Sequence, residues 1–319
     1  MLFYPLLFEP IFKERIWGGT KLKELLNKSF DGRQIGESWE LSTVENDISV
    51  VANGAFEGLN LNQLIKKYPT EVLGAASIKN FGLNFPLLFK FIDAKEDLSI
   101  QVHPNDALAK ERHNSFGKTE MWYVMQADAN ARLVVGFKDK TNKKEYQAHL
   151  ENKTLVAVLN ETPVKVGDVF FLETGTVHAT GAGVLIAEIQ QTSDITYRLY
   201  DWDRVDANGV GRELHTDLAL DAINFEPTNT KLNYEVAKNK SVTLVECPFF
   251  KTNILQISEK HNWKKTKESF TVFMCTEGSF TINMRQFQSE FKKGDTVLIP
   301  AIIDGFEIIG EASLLEITI

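Results

Sequence analysis

A chain of 319 residues with a formal net charge of −8, and no Lys/Arg block long enough to track a phosphate backbone, is not built to bind nucleic acid. Its 43% hydrophobic and 24% charged residues are those of a soluble globular protein with room for two domains. Two cysteines, Cys247 and Cys275, are no close-spaced pair, which excludes a disulfide scaffold and a Cys-based zinc site and points to a reducing compartment.

The opening MLFYPLLFEPIFKERIWGG is apolar, but Pro5, Glu9 and Pro10 interrupt it, and neither a positive n-region nor a small-residue cleavage site marks a signal peptide. No apolar run is long enough to span a bilayer, so a cytoplasmic chain is expected. Residues 61–75, LNQLIKKYPTEVLGA, carry apolar residues at helical spacing, divided by Pro69. The runs LLFKFIDA (87–94), LSIQVH (98–103), EMWYVMQA (120–127) and ARLVVGF (131–137) then read as short strands bounded by turn residues. Residues 143–161 read as two short helices, followed by the strands DVFFLE (168–173) and VLIAEIQQ (184–191). A helix is expected over 212–225, with Leu214, Leu218, Ala222 and Phe225 on one face. The polar stretch 226–240 reads as a connection to a last part containing FTVFMCTE (270–277) and DTVLIPA (295–301). Many short strands and 22 phenylalanines predict a mainly β protein of the barrel or sandwich kind.

That frame occurs twice. KVGDVFFLETGTVHATG (165–181) matches KKGDTVLIPAIIDGFEIIG (292–310) through Gly167 and Gly294, which puts His178 opposite Gly305. TEMWYVMQADANARL (119–133) matches SFTVFMCTEGSFTI (269–282), which puts Glu120 opposite Phe270. The apolar residues persist in both copies, and the polar ones only in the first. Gln101 and His103 in SIQVHPND share a strand face because side chains alternate, and Pro104 ends the strand. Taken singly, Gln101, His103 and His178 read as hydrogen-bonded core, rim or loop residues, whereas Glu120, beside bulky apolar residues on a strand, is costly without a partner. Together they are a mixed N/O set without thiolate, suited to Zn²⁺ or another divalent first-row metal with a coordination position left open.

Gln-x-His, the later Glu and Gly-Asp-x₆-Gly-x-x-His resemble the cupin superfamily of small jelly-roll barrels. The words WGG (17–19), IGESWELS (35–42), FPLLFKFIDAKEDLSIQVHPND (85–106), GKTEMWYV (117–124), GDVFFLETGTVHATG (167–181) and EIQQTSDITYRLYDWDR (188–204) resemble type I mannose-6-phosphate isomerases, in their short bacterial branch. The resemblance covers the first two-thirds of the chain in order. It implies two cupin-type barrels: a catalytic domain over 1–235 with a few short helices, and a smaller degenerate domain over 236–319 without metal ligands. It implies one zinc ion per chain and interconversion of D-mannose 6-phosphate and D-fructose 6-phosphate through a cis-enediolate.

Carried over residue by residue, His103, Glu120 and His178 are the zinc ligands, with Gln101 as the fourth. Arg198 falls on the active-site arginine, and Glu188 and Lys118 on polar pocket positions. Arg204 falls where the family often carries a second cation. Arg198 is a fixed cation suited to the enediolate, while Glu188, Lys118 and zinc-bound hydroxide all remain candidates for the proton shuttle. RIWGGTKLKE is not a P-loop, so phosphate falls to side chains such as Arg198, Arg204 and Ser99. DWDRVD (201–206) reads as a solvated loop, His113, His149, His215 and His261 as surface or helix residues, and Trp17 and Trp39 as packing. The competing readings are another sugar-phosphate cupin isomerase or epimerase, and a non-catalytic sugar-binding cupin. The expected partner is a small sugar phosphate, met by a monomer or weak homodimer without nucleic acid or membrane.

Overall fold

The computed structural model describes residues 2–32, 34–205 and 208–319. Strands hidden on both faces read as unbroken apolar runs rather than alternating ones. Accordingly, Leu87–Ala94, Val184–Gln191 and Glu120–Ala127 lie side by side at the centre of a seven-stranded antiparallel sheet. Ile35–Leu41 and Ile11–Gly19 extend it on one side, Val169–Leu172 and Lys231–Leu232 on the other. A five-stranded sheet faces it, in the order Tyr197–Tyr200, Ile100–Val102, His178–Thr180, Arg132–Phe137 and Leu159–Pro163.

Between these sheets lies a core of Trp17, Ile92, Trp122, Val124, Leu133, Val135 and Phe170. The opposite face of the seven-stranded sheet presents Phe89, Phe91, Met121, Tyr123, Leu185 and Ala187 to a larger core. That core takes in Ile254, Phe273, Leu298 and Leu314 from a six-stranded sheet in the last third, and Leu61, Leu64 and Val72 from helices Leu61–Lys67 and Pro69–Leu73. Each buried phenylalanine or leucine stabilises the fold by about 1.5–3 kcal/mol. The pleat that turns Phe89 and Ala187 to this side turns Lys90, Glu120 and Glu188 to the inner one.

The two thirds of the chain are joined by backbone bonds as well. Leu6 and Leu298 exchange hydrogen bonds of 2.8 and 2.9 Å, and Ala76 N donates to Glu268 O at 2.9 Å. The repeated frame has a structural counterpart: His178 and Gly305 each open a strand, and Phe270 immediately precedes the strand Thr271–Met284 as Glu120 opens its own. Among the described residues no helix is long and apolar enough to cross a membrane.

The helix expected over 212–225 is reduced to Thr216–Ala219, and Leu214 and Leu218 are exposed at 46% and 38%. The preceding residues bond to a strand instead, with His215 N donating to Arg198 O at 2.7 Å and Arg198 N donating to His215 Nδ1 at 3.1 Å. The polar stretch 226–240 is more than a connection, because Lys231–Leu232 pairs with the edge strand Val169–Leu172. Two helices had no periodic signal: Ala75–Phe81 and Asp106–His113, the latter capped by Asn105, whose side chain accepts from Leu108 N at 3.0 Å.

Candidate metal centre

Strand register assembles the site. Gln101 is paired with His178 on one side and with Arg198 on the other, so the three side chains form a row on the five-stranded sheet. On the facing sheet Glu188 lies between Lys90 and Trp122, with Trp39 beyond Lys90. Glu120 is paired with Gln190, one step along that sheet. Between the rows His103, Glu120 and His178 come together, fully buried, with one donor atom of each within 4.8 Å of the others.

The imidazoles are oriented by main chain. His103 Nδ1 donates to Ile195 O at 2.9 Å and His178 Nδ1 to Thr176 O at 2.8 Å. A carbonyl oxygen only accepts, so Nδ1 carries the hydrogen in each ring and Nε2 keeps its lone pair. His178 Nε2 then faces Glu120 Oε1 at 3.3 Å, and His103 Nε2 faces Oε2 at 3.8 Å. Glu120 Oε1 is buried without a hydrogen-bond partner. Two acceptors facing one another in a dry site call for a cation between them. Lys118 Nζ, 3.1 Å from His103 Nε2 and in contact with Glu120 Oε2, marks where positive charge is accepted. Gln101 Nε2 is 3.2 Å from His178 Nε2, which keeps its amide within reach of the same space. Two imidazole nitrogens, a carboxylate and an amide therefore fit a divalent ion.

The electrostatics agree. Burial, then the Lys118 ammonium, pulls His178 down to about 4, and burial with Lys118 and His178 takes His103 well below its usual value. Both rings are neutral near pH 7, as metal ligands must be. Burial pushes the Glu120 carboxyl up, and Glu188 adds to this while Lys118 opposes it. Burial would push Glu188 up too, but Lys118 and Lys90 outweigh it and hold this carboxylate at about 2. Lys90 Nζ lies 3.0 Å from Glu188 Oε2 and 2.8 Å from Gln190 Oε1, while Trp122 Nε1 donates to Glu188 Oε1 at 2.9 Å. Lys118 is raised despite its burial, because Glu120 and Glu188 flank it.

A cavity of about 440 Å³ opens onto this centre and is lined by Gln101, Lys118, Glu188, Arg198 and Ser99, with the His–Glu–His triad behind them. The structure thus brings together every candidate named from the sequence except one. Arg204 does not line the cavity; its Nη2 donates to Asp201 Oδ1 at 2.6 Å and its Nη1 lies 3.9 Å from Glu96. Arg212 lines the cavity instead. Asp201 is buried between the two arginines, which corrects the reading of DWDRVD as a solvated loop at that residue, while Asp203 and Val205 are exposed; Asp206 of that stretch lies outside the described residues.

Trp17 and Trp39 are walls of the cavity as well as packing, and Trp39 Nε1 donates to Glu37 Oε2 at 2.6 Å. Sequence reasoning also missed Lys90, Glu37, Arg15, Arg212 and the His215 contact to the Arg198 backbone. Lys90 had a signal: an ionisable side chain inside an otherwise apolar run needs a buried counter-charge. His113 ends a helix as an exposed residue and meets Tyr197 Oη at 2.8 Å.

Two family models match the chain: phosphomannose isomerase type I, catalytic domain, over residues 6–130, and mannose-6-phosphate isomerase, cupin domain, over residues 240–319. The chain is 37% identical over 312 residues to mannose-6-phosphate isomerase ManA of Bacillus subtilis, covering 97% of this chain and 96% of that one. It is 34% identical over 314 residues to mannose-6-phosphate isomerase of Streptococcus mutans, covering 98% and 97%. The crystal structure of the mannose 6-phosphate isomerase from Bacillus subtilis superimposes with a TM-score of 0.90 at 34% identity, over 99% of both chains. A structure from Archaeoglobus fulgidus shares the fold at 23% identity and a TM-score of 0.79. With a mainly β fold of this shape, a buried His–Glu–His cluster and full-length relatives on this scale of identity, the chain belongs to the type I phosphomannose isomerases.

Proposed function

We propose that the protein interconverts D-mannose 6-phosphate and D-fructose 6-phosphate with one zinc ion held by His103, Glu120, His178 and Gln101. The observation that carries this is the pair of Nε2 lone pairs turned on the two oxygens of the buried Glu120 carboxylate, one of which has no hydrogen-bond partner, in a chain of this family. Bound there, the ion supplies a Lewis acid for the substrate oxygens. The remaining chemistry falls to side chains.

Moving a carbonyl from C1 to C2 means taking a proton from one carbon and returning one to the other, with negative charge collecting on oxygen. Lys118 as an ammonium and Arg198 as a guanidinium meet that charge. Glu188, ionised and held by Lys90 and Trp122, is positioned to accept the proton, with Lys118 beside it at 3.9 Å as the exchange partner. The walls of Trp17, Trp39 and Trp122 limit access of water to the intermediate.

We assign residues 1–235 to the catalytic domain and 236–319 to a second, degenerate cupin barrel with a structural role. In support, Trp263 packs on Phe306 in a tilted pair with ring centroids 4.7 Å apart, and Phe270 packs on Phe85 at 4.8 Å, where a metal site would need polar groups. A cytoplasmic monomer or weak homodimer fits this reading, and light scattering at working concentration tests the oligomeric state.

Chelator-stripped protein should regain mannose 6-phosphate isomerisation on addition of zinc, and stripped His103→Ala should not. No turnover by folded, metal-replete wild type would reject the isomerase in favour of another sugar-phosphate cupin or a binding module.

A further inference from the structure

Two arginines, Arg204 and Arg212, converge on the buried Asp201 carboxylate, and Arg198 lies near them. Arg212 meets Asp201 edge on, Nε to Oδ2 at 2.7 Å and Nη2 to Oδ1 at 2.5 Å, while Arg204 adds Nη2 to Oδ1 at 2.6 Å. Asp201 is only 5% exposed, so it is an anchor inside the fold. The three cations do not face the same way. Arg198 and Arg212 line the cavity; Arg204 turns away toward Glu96. Arg15 also lines the cavity, but its Nε donates to Glu37 Oε1 at 2.8 Å. Arg198 Nε lies 3.4 Å from Ser99 Oγ, and its Nη1 donates to Glu213 O at 2.8 Å. The carboxylates of Asp194, Glu14 and Glu37 line the same cavity as Arg198 and Arg212.

Distance along the sheet gives the arrangement a direction. His103, Gln101 and Ser99 project from one side of a single extended run, at steps of about 7 Å. Ser99 therefore lies one step beyond Gln101, away from His103, and the Arg198 side chain, which starts level with Gln101 on the neighbouring strand, reaches it. That offset is comparable to the reach of an extended six-carbon chain from its carbonyl end to its phosphorylated end.

We propose that Arg212, fixed by Asp201, binds the phosphate of the substrate together with Arg198 and Ser99, in the place that sequence resemblance gives to Arg204. The inference rests on the sugar-phosphate reading of the site and names the group that reads the phosphate. Guanidinium forks match the geometry of phosphate oxygens, and a second guanidinium next to the first suits a dianion better than a neutral hydroxymethyl. Asp201 is the positioning residue: its carboxylate aligns the Arg212 fork and reduces its repulsion with Arg198.

The test compares zinc-loaded wild type, Arg212→Gln, Arg212→Lys and Arg204→Gln by calorimetric titration with inorganic phosphate and by steady-state kinetics on D-mannose 6-phosphate. In Arg212→Gln the affinity for inorganic phosphate is expected to fall about 10- to 100-fold, and KM to rise by a similar factor with a smaller change in kcat. Arg212→Lys, which keeps the charge and loses the fork, should fall between it and wild type, and carries the comparison if the Gln variant does not fold. Arg204→Gln should weaken phosphate binding less than Arg212→Gln does. Phosphate affinity within about twofold of wild type in both Arg212 variants, or a larger loss in Arg204→Gln, would overturn the assignment. Absence of turnover in wild type would defeat the isomerase reading alone, because the calorimetric comparison with inorganic phosphate would still decide for or against Arg212.

Discussion

His178 carries two burdens in the metal-free protein: it is buried against a lysine, and its proton-accepting nitrogen points at a carboxylate oxygen. Burial and Lys118 hold its folded-state pKa at about 4, against 6.5 for an unperturbed imidazole. The folded state therefore binds fewer protons than the unfolded chain between these values. The stability this represents is fully present above pH 6.5 and is lost as pH falls toward 4, by roughly 3 kcal/mol for this residue. Because the raised Glu120 carboxyl acts in the opposite direction over the same range, the decline is read as a difference: between pH 7.5 and 4.5 in urea unfolding, chelated wild type should lose more stability than chelated His178→Gln. An equal dependence in the variant would mean that the ring is not buried neutral. Zinc should offset the loss by mass action, raising the unfolding midpoint at pH 7.5 more than at 4.5 because protons compete for the same nitrogens.

At the scale of strands and helices, residues did what their side chains demand of a pleat. Phe270 stands where the first copy of the repeat has Glu120, and its ring is fully buried against Phe85 from the first half of the chain. Phe270→Ala should destabilise the protein by about 3–5 kcal/mol while leaving zinc content per folded molecule unchanged, measured by thermal melts and metal analysis. Loss of metal from folded Phe270→Ala would show that the second copy shapes the site directly.

These strands were legible because their apolar runs are long and unbroken. LLFKFIDA, EMWYVMQA and VLIAEIQQ coincide with strands to the residue. The helix over 212–225 was misread because its backbone partners are distant in sequence: periodicity cannot announce that His215 bonds to Arg198. The same blindness hid Arg212. Arg204 sits in the quoted family word and Arg212 does not, yet it is the packing around Asp201 that decides which guanidinium reaches the cavity. The residues proposed to hold the metal were legible for the opposite reason, since donor type and strand alternation are local properties. Lys90 and Glu37 depend on what lies across the sheet, and only the register reveals it.

For the molecule as a whole, the seven-stranded sheet is the shared wall between the site and the last third of the chain. Removing residues 236–319 would expose Phe89, Phe91, Met121, Tyr123, Leu185 and Ala187 on one contiguous face. A 1–235 fragment should therefore be insoluble or aggregate, and co-expression with 236–319 should restore a soluble zinc-binding complex. A soluble, active 1–235 fragment would mean that the two parts are independent domains.

The pairing of Leu6 with Leu298 also sets an order of events in synthesis. The Leu6 segment leaves the ribosome long before its partner strand is made. The strand Gly305–Thr318, which lies between Lys251–Lys264 and Thr271–Met284, emerges later still. Until that strand is inserted, the sheet that Leu6 pairs with is incomplete, and residues 6–9 have only their bonds to residues 50–53. The Leu6 segment must wait for strands made far later, and the seven-stranded sheet depends in that interval on whatever shields its open apolar face.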